Sequence, residues 1–202
     1  MNYLILSGST RKNSQSLKSA NYIKNMLCKH KKTAYVETVC LNELKLPFWD
    51  ECYWDDDLEK PQAWNELSKK FVKADGIILI VPEWDGMAPP ALKNIFNFAS
   101  QGELFHKPCL IVSVSSGVGG TYPVVELRIS SYKNSRLCYL PEHVILRNIG
   151  SYLNGEHPET DEEIQVIKRL QYALDILEAY VKGFITIRKE KVIKQGLINY
   201  GM

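Results

Sequence analysis

Residues 76–99 read GIILIVPEWDGMAPPALKNIFNFA, and the order of residue types in this segment sets the architecture. Gly76 to Val81 is an aliphatic, largely β-branched run without polar alternation, as expected of a strand covered on both faces. Pro89 and Pro90 then open a helix that carries Leu92, Ile95, Phe96 and Ala99 inward. A doubly covered strand feeding straight into a helix is half of a crossover unit, so a parallel sheet is expected.

The same alternation extends in both directions. Tyr3 to Leu6 is a first strand. Leu17, Ala20, Ile23 and Leu27 recur at helical spacing between Ser14 and Lys29, with Ser14 as cap. Tyr35 to Leu41 is a second strand, and Trp64, Leu67, Phe71 and Ala74 form the stripe of a second helix. Beyond the opening segment, Pro108 to Ser115 is a fourth strand, Thr121 to Leu137 a helix and Val144 to Ile149 a fifth strand. Thr160 and Glu163 make a capping box ahead of Ile164, Ile167, Leu170, Leu174, Leu177 and Val181. With right-handed crossovers, five strands and five helices leave few topologies. The leading one is a flavodoxin-like α/β fold, a three-layer α/β/α sandwich around a five-stranded parallel sheet of order 2-1-3-4-5. Residues 1–182 form this domain. Residues 183–202 form a tail expected to pack on a partner subunit or to be partly disordered.

Composition agrees and narrows the function. The chain has 202 residues, 45% hydrophobic and 24% charged, which suits one globular domain. Its 25 basic and 23 acidic side chains leave a net charge of +2, too little for a nucleic-acid partner. The one basic cluster, Lys29 to Lys32, falls at a helix end, where cations offset the dipole. The apolar run around Ile77 to Val81 is far short of the roughly 20 residues that span a bilayer, so no membrane partner is expected. MNYLILSGST has no basic leader. The five cysteines lack any CxxC pair and three sit in core segments, so they read as reduced thiols of a cytoplasmic protein.

In open α/β sheets, ligands sit beyond the carboxyl ends of the strands, which directs attention to three loops. Gly8 to Ser16 (GSTRKNSQS) combines small hydroxyl residues with Arg11 and runs into a helix N-terminus, a combination that holds an anion such as a phosphate. GxxxxGKS/T and GxGxxG are both absent, so neither a triphosphate loop nor a dinucleotide fingerprint is supported. Pro82 to Asn94 places Trp84 beside Gly86 and two carboxylates where the buried strand ends, offering a flat apolar contact next to approachable backbone. Ser115 to Thr121 (SSGVGGT) frees backbone amides at another helix start, where they can stabilise negative charge. Each loop read alone also fits an ordinary turn.

Together, GSTRKNSQS, PEWDGMAPPALKNIFNFAS and SSGVGGTYPVVELR resemble the three blocks of the NADPH-dependent FMN reductase family, whose usual forms are GSxRxxSxN, PEYNxxxPxxLKNAIDW and a GG-containing loop followed by Leu-Arg, here Leu127-Arg128. The likeness covers about residues 1–150. It implies that Ser9, Arg11, Ser14, Gln15 and Ser16 hold the FMN phosphate and ribityl chain. Pro82, Glu83, Trp84, Asp85 and Gly86 would line the isoalloxazine, and Ser115, Ser116, Gly117, Gly119 and Gly120 would cap its pyrimidine side. It also implies hydride transfer from NADPH or NADH through FMN to a quinone, azo compound, free flavin or similar small acceptor, in a homodimer or homotetramer. Trp84 stands where Tyr is usual, Asp85 where Asn is usual and Ser16 where Asn is common.

No nucleophile or metal is expected. His30, His106, His143 and His157 lack metal-site spacing, and no Ser lies in GxSxG. Two rivals share features of this reading: a flavodoxin-type electron carrier, commonly strongly acidic where this chain is nearly neutral, and a flavin-free regulatory or scaffold domain. Leu46 to Pro61 (LPFWDECYWDDDLEKP) reads as a lid. Its Trp49, Tyr53 and Trp54 either stack on a substrate or neighbouring subunit or anchor the loop to its own domain.

Overall fold

The computed structural model describes residues 1–30, 35–55 and 57–190. Five parallel strands, β1 (Asn2–Ser7), β2 (Tyr35–Cys40), β3 (Gly76–Pro82), β4 (Pro108–Val114) and β5 (Cys138–Leu146), lie in the order β2-β1-β3-β4-β5. The helices are α1 (Gln15–His30), α2 (Gln62–Lys73), α3 (Pro90–Phe98), α4 (Thr121–Ser130) and α5 (Asp161–Ile187). Strand alternation sorts the core into two layers. Tyr3, Ile5, Ile78, Ile80, Leu110 and Val112 face α1 and α5. Leu4, Leu6, Ile77, Leu79 and Ile111 face α2, α3 and α4, where Trp64 stacks on Phe98 with ring centroids 5.4 Å apart. β3 and β4 are buried along their whole length, as the unbroken apolar run requires.

Two elements differ from the sequence reading. β5 begins at Cys138 rather than Val144 and ends at Leu146 rather than Ile149. Proline is disfavoured in a central strand, but β5 is an edge strand and the register shifts between Cys109 and Ile111, which accommodates Pro141. Arg128 Nη2 donates to the Leu140 and Pro141 carbonyls at 2.7 and 2.8 Å, satisfying the bulged segment. α4 stops at Ser130, short of the expected Leu137. Hydroxyls compete with the helix there: Ser131 Oγ donates to Leu127 O at 2.6 Å and Ser135 Oγ to Ser131 O at 2.7 Å.

α5 starts as expected, with the Glu163 amide donating to Thr160 Oγ1 at 3.1 Å. The reciprocal half of the capping box is rearranged: the buried Glu163 carboxylate accepts from the amides of Leu153 and Glu159 at 2.7 and 2.8 Å. α5 continues past residue 182 to Ile187, and the rest of the expected tail, 191–202, lies outside the described residues, as do Lys31 and Lys32 of the basic cluster. Cys40 and Cys109 are buried, Cys138 is half-buried, and all five thiols are free. Among the described residues no helix is long and apolar enough to cross a membrane.

Candidate functional site

The three loops meet at the carboxyl edge of the sheet. The Gly8 amide donates to Ile80 O at 2.8 Å, laying the first loop against β3. A Cβ at Gly8 would meet Ile80 O at 2.9 Å, so only glycine permits this approach. Ser9 is buried and its Oγ accepts from the Arg11 amide at 3.2 Å. Ser14 Oγ caps α1 by accepting from the Leu17 amide at 3.1 Å, which leaves its own proton free to donate outward. The amides of Gln15 and Ser16 find no acceptor among the described residues, and the buried Ser16 has a hydroxyl without a partner there. Arg11 is exposed and its guanidinium is equally unengaged. Two free amides, three hydroxyls, the positive helix end and a guanidinium form a cradle that fits a phosphate.

The second loop is a tight hairpin. Trp84 and Met87 exchange main-chain hydrogen bonds of 2.9 and 2.8 Å around Asp85 and Gly86, whose φ values are +48° and +76°. Positive φ at both central positions is the geometry for which Asn-Gly and Asp-Gly are favoured, so Asp85 serves the turn where Asn is usual. Its side chain is exposed at the tip. Trp84 is half-buried, and Pro82 closes β3 against Val114. Glu83 turns to the third loop: its Oε2 accepts from the Gly120 amide at 2.7 Å and from Ser115 Oγ at 3.4 Å. The expectation that the third loop's amides are all free is therefore met only in part. Gly117 donates to Ser115 Oγ and Gly120 to Glu83, while Ser116, Val118 and Gly119 amides have no acceptor among the described residues.

The sequence reading missed four supporting residues. Arg147 Nε donates to Val118 O at 2.7 Å, and the Asn148 amide to Gly117 O at 2.9 Å, so the loop after β5 fixes the third loop. Both had been counted inside the fifth strand, yet Asn148 has φ +47°, a conformation Asn tolerates and a strand forbids. Lys18 Nζ donates to Ile149 O, Tyr152 O and Asn154 Oδ1 at 2.9, 2.7 and 2.7 Å, tying that loop to α1. Desolvation lowers its pKa, with Glu163 opposing. Glu126 accepts from the Ala88 amide and Lys93 Nζ at 2.7 and 2.5 Å, anchoring the second loop to α4. Desolvation opposes ionisation of Glu126, yet those two bonds and the Lys93 charge hold its pKa below the ordinary value. No spacing in the sequence marks Lys18 or Glu126.

In the LKN motif, Leu92 is core and Asn94 reaches the lid segment. Asn94 Oδ1 accepts from the Trp49 amide and its Nδ2 donates to Pro47 O, both at 2.8 Å. Trp49 and Tyr53 pack on the α2/α3 core layer, so this loop is anchored on its own domain, while Trp54 stays 65% exposed. No cluster of three metal-ligating side chains occurs among the described residues.

Comparison with known proteins identifies the family. The profile of the family described as NADPH-dependent FMN reductase matches residues 1–150. NADPH azoreductase from Bacillus sp. (strain OY1-2) is 25% identical over 191 residues, which cover 94% of this chain and 98% of the relative. 2-Hydroxy-1,4-benzoquinone reductase from Burkholderia sp. is 24% identical over 146 residues, covering 68% of this chain and 75% of the relative. Among solved structures, the flavoenzyme NAD(P)H:(acceptor) oxidoreductase FerB from Paracoccus denitrificans superposes with a TM-score of 0.66 at 20% identity, covering 92% of this chain and 97% of that one.

Proposed function

From the premise that the chain belongs to the NADPH-dependent FMN reductase family and is an FMN-dependent NAD(P)H oxidoreductase, we propose that FMN sits across these three loops, phosphate end on α1. The observation that carries the placement is the first loop: free amides at Gln15 and Ser16 and a solvent-facing, partnerless Ser16 hydroxyl beside an unengaged Arg11. Such donors at a helix start suit a dianion. Ser9, Arg11, Ser14, Gln15 and Ser16 hold the phosphate and ribityl chain. Pro82, Trp84 and the Asp85-Gly86 backbone line the ring and shield it from water, and free amides in residues 115–120 hold its carbonyl edge. Glu83 acts by positioning that third loop. Bound FMN supplies two-electron chemistry between a nicotinamide and an acceptor.

The acceptor is a small oxidised molecule of the quinone or azo class, a reading supported by the names of the relatives and by a site with no protein nucleophile. Either NADPH or NADH serves as donor. Residues 1–182 act as the flavin domain. The protein works in the cytoplasm, in keeping with five free thiols. It forms a homodimer or homotetramer through the outer face of α3 and α4, where Tyr122 and Ile129 are 69% and 74% exposed. Near-neutral charge favours an enzyme over a carrier. The deciding experiment is the absorption spectrum of purified protein with added FMN, followed by NADPH oxidation with a quinone. Protein that takes up no flavin refutes the placement, and flavoprotein without turnover leaves the carrier.

A further inference from the structure

A second cavity, of about 530 Å³, lies under the 46–61 loop, away from the three loops above. Its walls come from Trp49, Tyr53 and Trp54 on one side, Phe96 and Phe98 of α3 below, and the turn after α4 opposite. Because α4 starts at Thr121 and the cavity begins at Ser130, the two sites are separated by about 13 Å of helix rise. The volume is in the range that takes a small organic ligand.

Its chemistry is one-sided. The aromatic rings stand in pairs, Trp49 with Trp54 at 4.9 Å and 64°, Tyr53 with Phe98 at 5.2 Å and 48°. Trp54 remains 65% exposed, so a flat apolar partner laid on it would remove that area from water. The polar lining is cationic or neutral. Lys60, Lys133, Asn97 and Asn134 have side chains without a protein partner among the described residues. The neighbouring acids Asp50, Glu51, Asp55 and Asp57 are all outside the lining, and no Asp or Glu among the described residues contributes to it. The hydroxyl protons of Ser130, Ser131 and Ser135 are engaged with carbonyl oxygens or Tyr139, so the free donors are the two ammonium groups, the two side-chain amides and the Ser100 hydroxyl.

We propose that this cavity is a binding site for a flat aromatic anion, a carboxylate or sulfonate whose ring stacks on Trp54 and whose charge lies between Lys60 and Lys133. Asn94 keeps the site formed by holding the loop at Trp49 and Pro47. The proposal is independent of the flavin placement.

The test is calorimetric titration of the purified protein with 2-naphthoate, with and without saturating FMN. One saturable site per chain is expected, unchanged by FMN. Trp54→Ala weakens it at least tenfold, Lys133→Gln about threefold, and the uncharged analogue 2-naphthamide binds at least fivefold more weakly. Both substitutions are at exposed positions, so folding is not at stake. No saturable binding, including occlusion by a second copy of the chain, overturns the proposal. So does binding indifferent to Trp54→Ala, equal affinity for the amide, or loss of binding when FMN is added, which would assign the probe to the flavin cleft.

Discussion

Replacing Glu83 separates a positioning role from direct flavin contact. Its carboxylate accepts from the Gly120 amide at 2.7 Å, at the start of α4, and that amide is buried. A charge-assisted bond of this kind contributes about 1.5–3 kcal/mol, and the helix terminus adds about 0.3–1 kcal/mol for a negative charge. Glu83→Ala leaves the buried amide unpaired, so unfolding free energy should drop by about 2–3 kcal/mol. Glu83→Gln keeps an acceptor oxygen and loses only the charge, for about 1 kcal/mol. A loosened third loop must be ordered when flavin binds, which weakens FMN roughly tenfold in the alanine variant, an extra cost of about 1.4 kcal/mol. Urea titrations of flavin-free protein give the first quantity and quenching of FMN fluorescence gives the second. If alanine costs less than about 0.5 kcal/mol, or if glutamine is as harmful as alanine, the bond does not hold the loop and the reasoning fails.

Three further outcomes follow from other contacts. Arg11→Ala should weaken FMN by about 10–100-fold while leaving riboflavin affinity unchanged, since only the phosphate meets the guanidinium; parallel fluorescence titrations of the two flavins check this. Gly120→Ala places a Cβ 2.5 Å from Ile145 Cγ2 at φ +99°, so thermal unfolding should fall by roughly 5–10 °C, whereas Gly117→Ala, with open space around it, should shift it little. Lys107 is buried with its Nζ on the Phe71 and Val72 carbonyls, and desolvation, with Arg188 adding repulsion, brings its pKa down to about 8 from 10.5. Between those values the unfolded chain binds a proton that the folded one lacks, so this group's contribution grows as pH rises toward 10.5 and is lost as pH falls through 8. Urea midpoints at pH 8 and 10 should show that rise, worth about 2 kcal/mol, and Lys107→Met should abolish it.

Sequence patterns were most legible where one requirement dominated. GIILIV could only be a doubly covered strand, and Ser14, Thr160 and the Pro89-Pro90 pair marked helix starts through local hydrogen-bond and φ constraints that need no tertiary information. The errors arise where a tertiary partner changes the local preference. Pro141 is allowed in β5 because the strand lies at the sheet edge beside a register shift, where a missing N–H breaks no ladder bond, and Arg128, thirteen residues earlier, serves its carbonyl. Ser131 and Ser135 end α4 by bonding its carbonyls, against an apolar pattern that continued to Leu137. Arg147 and Asn148 lie just past the end of β5 at Leu146, where the chain turns at Asn148 (φ +47°) through a conformation that no local pattern marks.

The contacts between the loops form a circuit around the carboxyl edge of the sheet. The Gly8 amide joins the first loop to β3 at Ile80, Glu83 joins the end of β3 to Gly120, Asn148 and Arg147 join the third loop to the end of β5, and Lys18 joins that end back to α1, which carries the phosphate cradle. Each link crosses between elements that a parallel sheet leaves open at its carboxyl edge. Three of the five are donated by backbone amides or accepted by one carboxylate at short range, and none uses the free amides of Gln15, Ser16, Ser116, Val118 or Gly119. The groups that hold the loops together are thus distinct from those proposed to hold the ligand. Order in the cleft is established on folding, so less of the binding energy goes to arranging loops and more appears as affinity.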